Sequence, residues 1–238
     1  MKKTLTIAGS DTTGGAGLQA DLKTFQEYGT FGMTAITSIV TMDIDNNWSH
    51  DIDTIEPDLV KKQLNTIFSA GNPSALKTGM LGDIRTISVV KEVLTQHQPK
   101  NIVIDPVLAC KGTAGILLSE NAETIQTQLL PLADITTPNL IEAGILSGLG
   151  ELKTMSDIEK AAVIIHGFGA KHVVIKGGRR FDDQEAIDVF YDGQTFQYLK
   201  SPIIHTNNNH GAGCTFAAAI TAGLANGLTT FEAVQTAK

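Results

Sequence analysis

Cysteine, tryptophan, basic blocks and long apolar runs are all scarce in this chain of 238 residues. The two cysteines, Cys110 and Cys214, lie far apart and each neighbours small residues. A disulfide-stapled secreted scaffold is therefore excluded, and free thiols in a reducing cytoplasm are the expectation. No apolar stretch approaches the roughly 20 residues that a membrane-spanning helix needs. Met1-Lys2-Lys3 could open a signal peptide, but the apolar stretch behind it is short and Asp11 follows, so it reads as a buried first strand. Lys and Arg total 18 against 25 Asp and Glu, a net charge of −7, with no basic cluster. Nucleic acid and membrane surfaces are excluded as partners on that ground. An anionic small substrate is not, because a local cradle of N–H groups works without a basic surface. Standard nucleotide signatures are missing too. There is no G-x-x-x-x-G-K-[ST] loop, and the glycines at 9, 14, 15 and 17 do not form G-x-G-x-x-G. A nucleotide enzyme would have to be of another kind.

What is present is an alternation of short β-branched runs with helical periodicity, at 42% hydrophobic and 18% charged residues. Strands are predicted at Leu5 to Ala8, Thr34 to Thr41, Ala75 to Thr78, Ile102 to Ile104, Ile135 to Thr137 and His172 to Ile175. A hairpin is predicted from Ala186 to Tyr191 and Thr195 to Leu199 around Asp192-Gly193. Helical stripes run through Gly17 to Tyr28, Val60/Leu64/Ile67/Phe68, Ile84/Ile87/Val90/Leu94 and Leu140 to Ser147. A further helix is expected from Ser156, which forms a Ser-x-x-Glu capping box with Glu159. This order implies an α/β fold of three αβα layers, a mainly parallel sheet with helices on both faces. Ligands then sit beyond the C-terminal strand ends, where Gly9 to Gly17, Lys77 to Gly82, Asp105 to Thr113, Asn139 onward and Lys176 to Arg180 fall. No linker or repeat divides residues 1–238, which read as one domain. The helical pattern Phe231, Val234, Ala237 runs to Lys238 without a C-cap signal, so a further helical end is expected.

The most informative stretch is His210-Gly211-Ala212-Gly213-Cys214-Thr215-Phe216, followed by a helix-forming run from Ala217 to Leu224. Small residues at 211, 212 and 213 let successive N–H groups converge where a helix start adds its own unpaired N–H groups and the positive end of its dipole. That arrangement suits a phosphoryl group, or the oxyanion that develops as one is transferred. Cys214 shares the helix start, which predicts a thiol pKa drawn down. An ordinary glycine-rich loop ahead of a packed helix would read the same.

Four groups of residues follow one another along the chain. The first is Thr6-Ile7-Ala8-Gly9-Ser10-Asp11 with Gly14-Gly15-Ala16-Gly17-Leu18-Gln19-Ala20-Asp21-Leu22-Lys23-Thr24. The second is Lys77-Thr78-Gly79-Met80-Leu81. The third is Asp105-Pro106-Val107 with Thr137-Pro138-Asn139-Leu140-Ile141-Glu142. The fourth is Lys176-Gly177-Gly178 with the 210–214 loop. As an ordered set they resemble the ribokinase-like superfamily, in the vitamin kinase branch that holds hydroxymethylpyrimidine kinases and pyridoxal kinases on one scaffold. The resemblance implies ATP and Mg²⁺ as cofactors, a small-molecule alcohol as substrate, and a homodimer. It implies that Asn139 and Glu142 match the superfamily's Asn-x-x-Glu signature, with Glu142 and Asp105 near the metal. It further implies that Lys176, Gly177, Gly178, Asp188, Gly213 and Lys238 line the ATP site, and that Ser10, Asp11, Ala16, Gly17, Met80 and Val107 line the substrate pocket. Read without the resemblance, Glu142 is a dipole-favoured first-turn residue, Asp105-Pro106 a turn, and Gly177-Gly178 a turn after a strand.

Two departures bear on the substrate. Pyrimidine kinases of this group carry Ala-Gln-Asn where this chain has Thr41-Met42-Asp43. A thioether cannot pair bidentately with an amidine-like ring edge, though it packs against an aromatic face. Cys110 stands where those enzymes usually have Ala. A cysteine can add reversibly to an aldehyde as a hemithioacetal, and pyridoxal has an aldehyde whereas hydroxymethylpyrimidine does not. Met42 and Cys110 together resemble the two-cysteine type of pyridoxal kinase; each also reads as plain core filling. His50, after Trp48-Ser49, is placed in a polar loop that could fold over the substrate, and His210 shapes the anion loop. The implied reaction is transfer of the γ-phosphoryl of MgATP to the 5′-hydroxymethyl of pyridoxal. Gly211, Ala212 and Gly213 would be N–H donors, and Cys214 stands where many superfamily members carry an Asp base. Hydroxymethylpyrimidine (phosphate) kinase activity in thiamin synthesis and a non-catalytic pyridoxal carrier remain as alternatives.

Overall fold

The computed structural model describes residues 1–46, 49–108, 115–178, 180, 184–206 and 209–238; of 115–119 it describes the backbone only. Among these residues nine strands form one sheet in the order β3-β2-β1-β4-β5-β6-β7-β8-β9. The strands are β1 (Lys3–Asp11), β2 (Phe31–Asp43), β3 (Ser49–Thr54), β4 (Ala75–Thr78), β5 (Ile102–Ile104), β6 (Ile135–Thr136), β7 (Val173–Lys176), β8 (Glu185–Tyr191) and β9 (Phe196–Pro202). From β2 to β7 every pairing is parallel; β3, β8 and β9 join antiparallel at the two sides.

Period-two alternation divides the core. Leu5, Ile7, Leu76, Ile102, Ile104, Val173 and Ile175 pack on one face against α2 (Pro57–Ser69), α3 (Ile84–His97), α5 (Leu140–Ser147) and α6 (Met155–Gly167). Val103, Ile135, Val174 and Phe190 pack on the other against α7 (Ala212–Ala225) and α8 (Thr230–Ala237), with α1 (Gly17–Glu27) beside α7. A remaining helix, α4 (Gly115–Thr124), runs into a wide π turn at Ile125–Leu129 and a tight 3₁₀ turn at Leu130–Leu132. Thr6 and Lys77 alternate with the apolar residues of their strands and so fall on the α1/α7 face, where a polar cluster forms.

The expected elements are present, with three differences. β1 and β2 are longer than their β-branched cores, because pairing with each other carries them to Asp11 and Val40 and pairing with β3 carries β2 on to Asp43. The segment holding His50 is an edge strand rather than a loop, paired with β2 so that His50 faces Met42. The cap of α6 is Thr154, not Ser156: Thr154 Oγ1 accepts from the Asp157 N–H at 3.2 Å while Asp157 Oδ2 accepts from the Thr154 N–H at 2.9 Å. Glu159 is bonded instead by the Tyr198 hydroxyl. Thr154→Ala is expected to lower unfolding free energy by about 1 kcal/mol and Ser156→Ala by less than about 0.5. Urea denaturation of both variants checks this, and equal effects would contradict the assignment.

Candidate active site

The ends of the parallel strands converge on the 209–214 loop. Gly17, at the start of α1, has φ +57°, and a Cβ there would lie 2.4 Å from the Gly9 carbonyl oxygen. Gly211, which caps α7, has φ +80°, and a Cβ there would lie 1.9 Å from the carbonyl oxygen of Gly15. Only glycine permits both the left-handed backbone and the approach. The 209–214 loop thus rests main chain on main chain against the 13–17 loop.

Asp11 fastens the two loops. Its carboxylate accepts from the Thr13 and Ala16 N–H groups, each at 2.8 Å, from the Thr13 hydroxyl, and from His210 Nε2 at 2.8 Å. Burial alone would raise this carboxyl's pKa, but the donors from Thr13, His210 and the Ala16 N–H outweigh it and hold the group at about 2. The His50 ring meets the His210 ring edge-on at 6.0 Å.

Two cavities open on this junction. One, of about 130 Å³, holds Asp11, Ala16, Gly17, Met42, His50, Met80, Val107 and Cys214 from the expected substrate set and its neighbours. Lys77, Gly79 and His210 also line it. The antiparallel register of β2 and β3 brings Met42 and His50 in together. Ser10 is not brought in; its hydroxyl accepts from Gln19 Nε2 at 2.8 Å. Cys110 lies outside the described residues.

The other cavity, of about 600 Å³, gathers all the residues expected at the nucleotide: Asn139, Lys176, Gly177, Gly178, Asp188, Gly213 and Lys238. Arg180 and Phe216 line it as well; both lie in stretches quoted above, neither with a role. Asp188 knits this wall, accepting from the Gly177 N–H at 3.0 Å and pairing with Lys238 Nζ at 2.9 Å. Ala16, Val107 and Cys214 line both cavities, so the two meet at the sulfur.

At the meeting point the N–H groups of Gly211, Gly213 and Cys214 have no hydrogen-bond partner among the described residues. Ala212, expected as a donor beside Gly211 and Gly213, is a correction: its N–H bonds the Asn209 carbonyl at 3.2 Å in the turn that starts α7. The thiol is a second correction. Burial pushes the Cys214 pKa up and outweighs the lowering influence of Lys77 and of the Gly17 N–H directed at the sulfur.

Asn139 and Glu142 form a reciprocal cap on α5: Asn139 Oδ1 accepts from the Ile141 and Glu142 N–H groups, and Glu142 Oε2 from the Asn139 N–H at 2.8 Å. Burial raises the Glu142 carboxyl to about 7, Lys176 opposing and Asp105 adding to the rise. Asp105 Oδ1 accepts from Thr137 Oγ1 at 2.8 Å and Lys176 Nζ at 3.2 Å. Among the described residues no group of three or more His, Cys, Asp or Glu could hold a metal ion. The two carboxylates nevertheless face the larger cavity as hard oxygen donors, the set that suits Mg²⁺ completed by water and phosphate oxygens.

Lys77 is the residue that sequence reading quoted without a role. It is fully buried, 2.7 Å from Asp21 Oδ1, and it lines the smaller cavity. The available signal was a lysine inside the strand Ala75 to Thr78, since lysine is almost never fully buried unless paired.

Asp11 supplies a stability test. Its depressed pKa adds about 2 kcal/mol above about pH 4, an increment lost as pH falls toward about 2. Asp11→Asn is expected to lower stability by about that amount at neutral pH. Between neutrality and about pH 3 the wild type should lose about 1 kcal/mol more than the variant. Parallel urea midpoints across that range would contradict the role given to Asp11.

Comparison with known proteins places this geometry. Residues 11–238 match the family model described as phosphomethylpyrimidine kinase. A putative pyridoxine kinase of Staphylococcus aureus is 53% identical over 238 residues, covering 100% of this chain and 86% of the relative. A pyridoxine kinase of Bacillus subtilis is 50% identical, covering 100% and 88%. The solved pyridoxal kinase of S. aureus in complex with AMP-PCP and pyridoxal superposes with TM-score 0.92 at 51% identity, covering 100% of this chain and 85% of that one. By fold, by the convergence of two cavities on one glycine-bordered helix start, and by these matches, the chain belongs to the phosphomethylpyrimidine kinase family of ribokinase-like vitamin kinases.

Proposed function

We propose that this chain phosphorylates the 5′-hydroxymethyl group of pyridoxal and related B6 vitamers at the expense of ATP, residues 1–238 acting as one kinase domain. The observation that carries the reading is the junction of the cavities at Ala16, Val107 and Cys214, with main-chain N–H groups directly beside it. The smaller cavity suits a single substituted ring, and the larger a nucleotide. The S. aureus relative, with an ATP analogue and pyridoxal bound together, supports assigning them so.

The chain's own part in the reaction is positioning and charge stabilisation, the terms that dominate phosphoryl transfer. Met42 and Met80 pack the acceptor ring, and Asp11 and His210 hold the loops between which its hydroxymethyl reaches the junction. The Gly213 and Cys214 N–H groups, at the positive end of α7, donate to the phosphoryl oxygens as negative charge moves onto them. Lys176, held protonated by Asp105 and Glu142 against the lowering effect of burial, faces the same place from the nucleotide side. Asp105 and Glu142 would hold Mg²⁺ through its water shell. When bound, the ion supplies neutralisation of the nucleotide's phosphate charge. Cys214 Sγ, as thiolate, takes the proton of the attacking hydroxyl. Cys110 is proposed to hold the aldehyde of pyridoxal as a hemithioacetal, which makes this a two-cysteine enzyme. The exposed Ile39 and Ile44 of the β2–β3 region and the open edge of β3 support a homodimer. Cytoplasmic residence is proposed on the low cysteine content, two residues far apart in the chain; among the described residues no helix is long and apolar enough to cross a membrane.

The family's description favours a second reading, phosphorylation of hydroxymethylpyrimidine or its phosphate. ATP turnover measured side by side with pyridoxal, pyridoxine and hydroxymethylpyrimidine decides between them. The expected order places both B6 vitamers above the pyrimidine; preference for the pyrimidine installs the second reading, and no turnover with any acceptor leaves a carrier. Cys214→Ala should lower kcat by about 10²-fold or more. Because burial holds the thiol protonated, wild-type kcat should rise as pH increases above neutrality, and a flat profile would remove Cys214 as base. Cys110→Ala should weaken use of pyridoxal more than of pyridoxine, which has no aldehyde.

A further inference from the structure

The mechanism leaves one buried charge without a task. Lys77 sits in the middle of the sheet, flanked by Thr6 of β1 and Val103 of β5, and both its side chain and that of Asp21 are 0% exposed. Asp21 Oδ1 accepts from Lys77 Nζ at 2.7 Å, and Asp21 Oδ2 accepts from the Thr6 hydroxyl at 2.6 Å. An ammonium group carries three N–H donors. Asp21 is the only hydrogen-bond partner of Nζ among the described residues, yet the group borders the acceptor cavity. Burying such a pair is costly, and apolar residues of the same size would usually serve the fold as well or better. Its value must then come from where the charge lies.

That place is beside Cys214. Both residues line the small cavity, and both lie on the α1/α7 side of the sheet. The charged groups that face the sulfur are Lys77 from β4, Asp21 from α1, Asp105 beyond β5 and Lys176 at the end of β7. Lys176 is drawn off by Asp105 at 3.2 Å and faces the nucleotide side, whereas Lys77 lines the acceptor cavity together with the sulfur. Asp11, His210 and His50 complete the titratable lining of that cavity.

We propose that Lys77, anchored by Asp21, is a positioning residue for Cys214, a fixed buried cation that stabilises the thiolate awaiting the acceptor's proton. The sulfur then takes that proton as S–H, and the electron pair of the O–H bond stays on the oxygen that attacks phosphorus. The helix terminus alone does not offset the burial of the thiol; Lys77 exerts the largest lowering influence on it, and Asp21 a raising one. The proposal deepens the reading above and rests on it only for the role of the base.

The test is the pH dependence of Cys214 alkylation by iodoacetamide, followed by mass spectrometry in a Cys110→Ala background. Lys77→Met should move the alkylation midpoint up by about one unit, a tenfold loss of thiolate below the midpoint, and Lys77→Arg should restore most of it. Asp21→Asn removes the anion that keeps Lys77 protonated against its burial, so it too should move the midpoint up. Rescue by Lys77→Arg, which keeps the cation, is the result that general loosening of the fold would not give. Circular dichroism and thermal melts identify any variant that does not fold, and the remaining neutralising variant then gives the sign. The kcat pH profile should follow the same displacement, with KM for the acceptor changed less than about threefold. Midpoints that stay put, or a Lys77→Arg midpoint no different from that of Lys77→Met, would overturn the proposal. Alkylation needs no turnover: shifted midpoints in a protein that phosphorylates none of the acceptors would count against the proposed reaction and not against the pairing.

Discussion

Everything at this site depends on two loops touching at a distance that admits no side chain. The 13–17 loop and the 209–214 loop lie almost at opposite ends of the chain; their joining bond, Asp11 to His210, spans 199 residues. A Cβ on Gly211 would strike the Gly15 carbonyl oxygen at 1.9 Å, and Gly211 also needs its left-handed backbone to start α7. Contact on that scale places the first turn of α7, where the Gly213 and Cys214 N–H groups have no partner among the described residues, at the mouth of both cavities. A residue larger than glycine would part the loops and draw the amides away from the junction. The parallel sheet provides the platform, since strands β1, β4, β5, β6 and β7 all deliver their following loops to the same edge.

Around that junction, charge is arranged in buried pairs rather than left to solvent. Lys77 is matched by Asp21, and Lys176 by Asp105 with Glu142 close by. Such pairs add little to stability against apolar replacements of the same size. Their effect is to hold cations at fixed points in a low-dielectric setting, where each acts more strongly on a moving negative charge than it would in water. The two lysines approach from opposite sides, one facing each cavity. A group transferred between the cavities therefore remains within reach of positive charge, with the amides of α7 between.

Much of this was legible in the sequence, for a physical reason. Gly211 stood out as one of the small residues ahead of a helix start, while Gly17, Asp11 and the Asn139/Glu142 pair were marked by the resemblance; the left-handed glycine backbones and the reciprocal cap at 139 and 142 are why those residue types recur at fixed spacing. What stayed hidden depends on contacts between distant segments. The strand Ser49–Thr54 is mostly polar and none of its residues is fully buried, so no hydrophobic alternation marks it; only its register with β2 makes it a strand. The task of Lys77 is invisible without Asp21, 56 residues away. Ser156 and Thr154 both offer a hydroxyl ahead of an acidic residue, and the backbone chose the earlier one. For Cys214 the helix-start argument was sound locally, but burial competes with the dipole and wins. Ala212 was lost as a donor because the turn at Asn209 needed its N–H.

The central claim is that the main-chain amides of Gly213 and Cys214 grip the phosphoryl group in transit. Backbone ¹⁵N–¹H resonances of these two residues, recorded with ADP alone and then with ADP, aluminium fluoride and pyridoxal, test it most directly. Both amide protons should move strongly downfield only in the second complex, as hydrogen bonds to the transferred-group mimic form. Resonances at 213 and 214 that stay where ADP alone leaves them, in a complex shown to hold all three ligands, would contradict it.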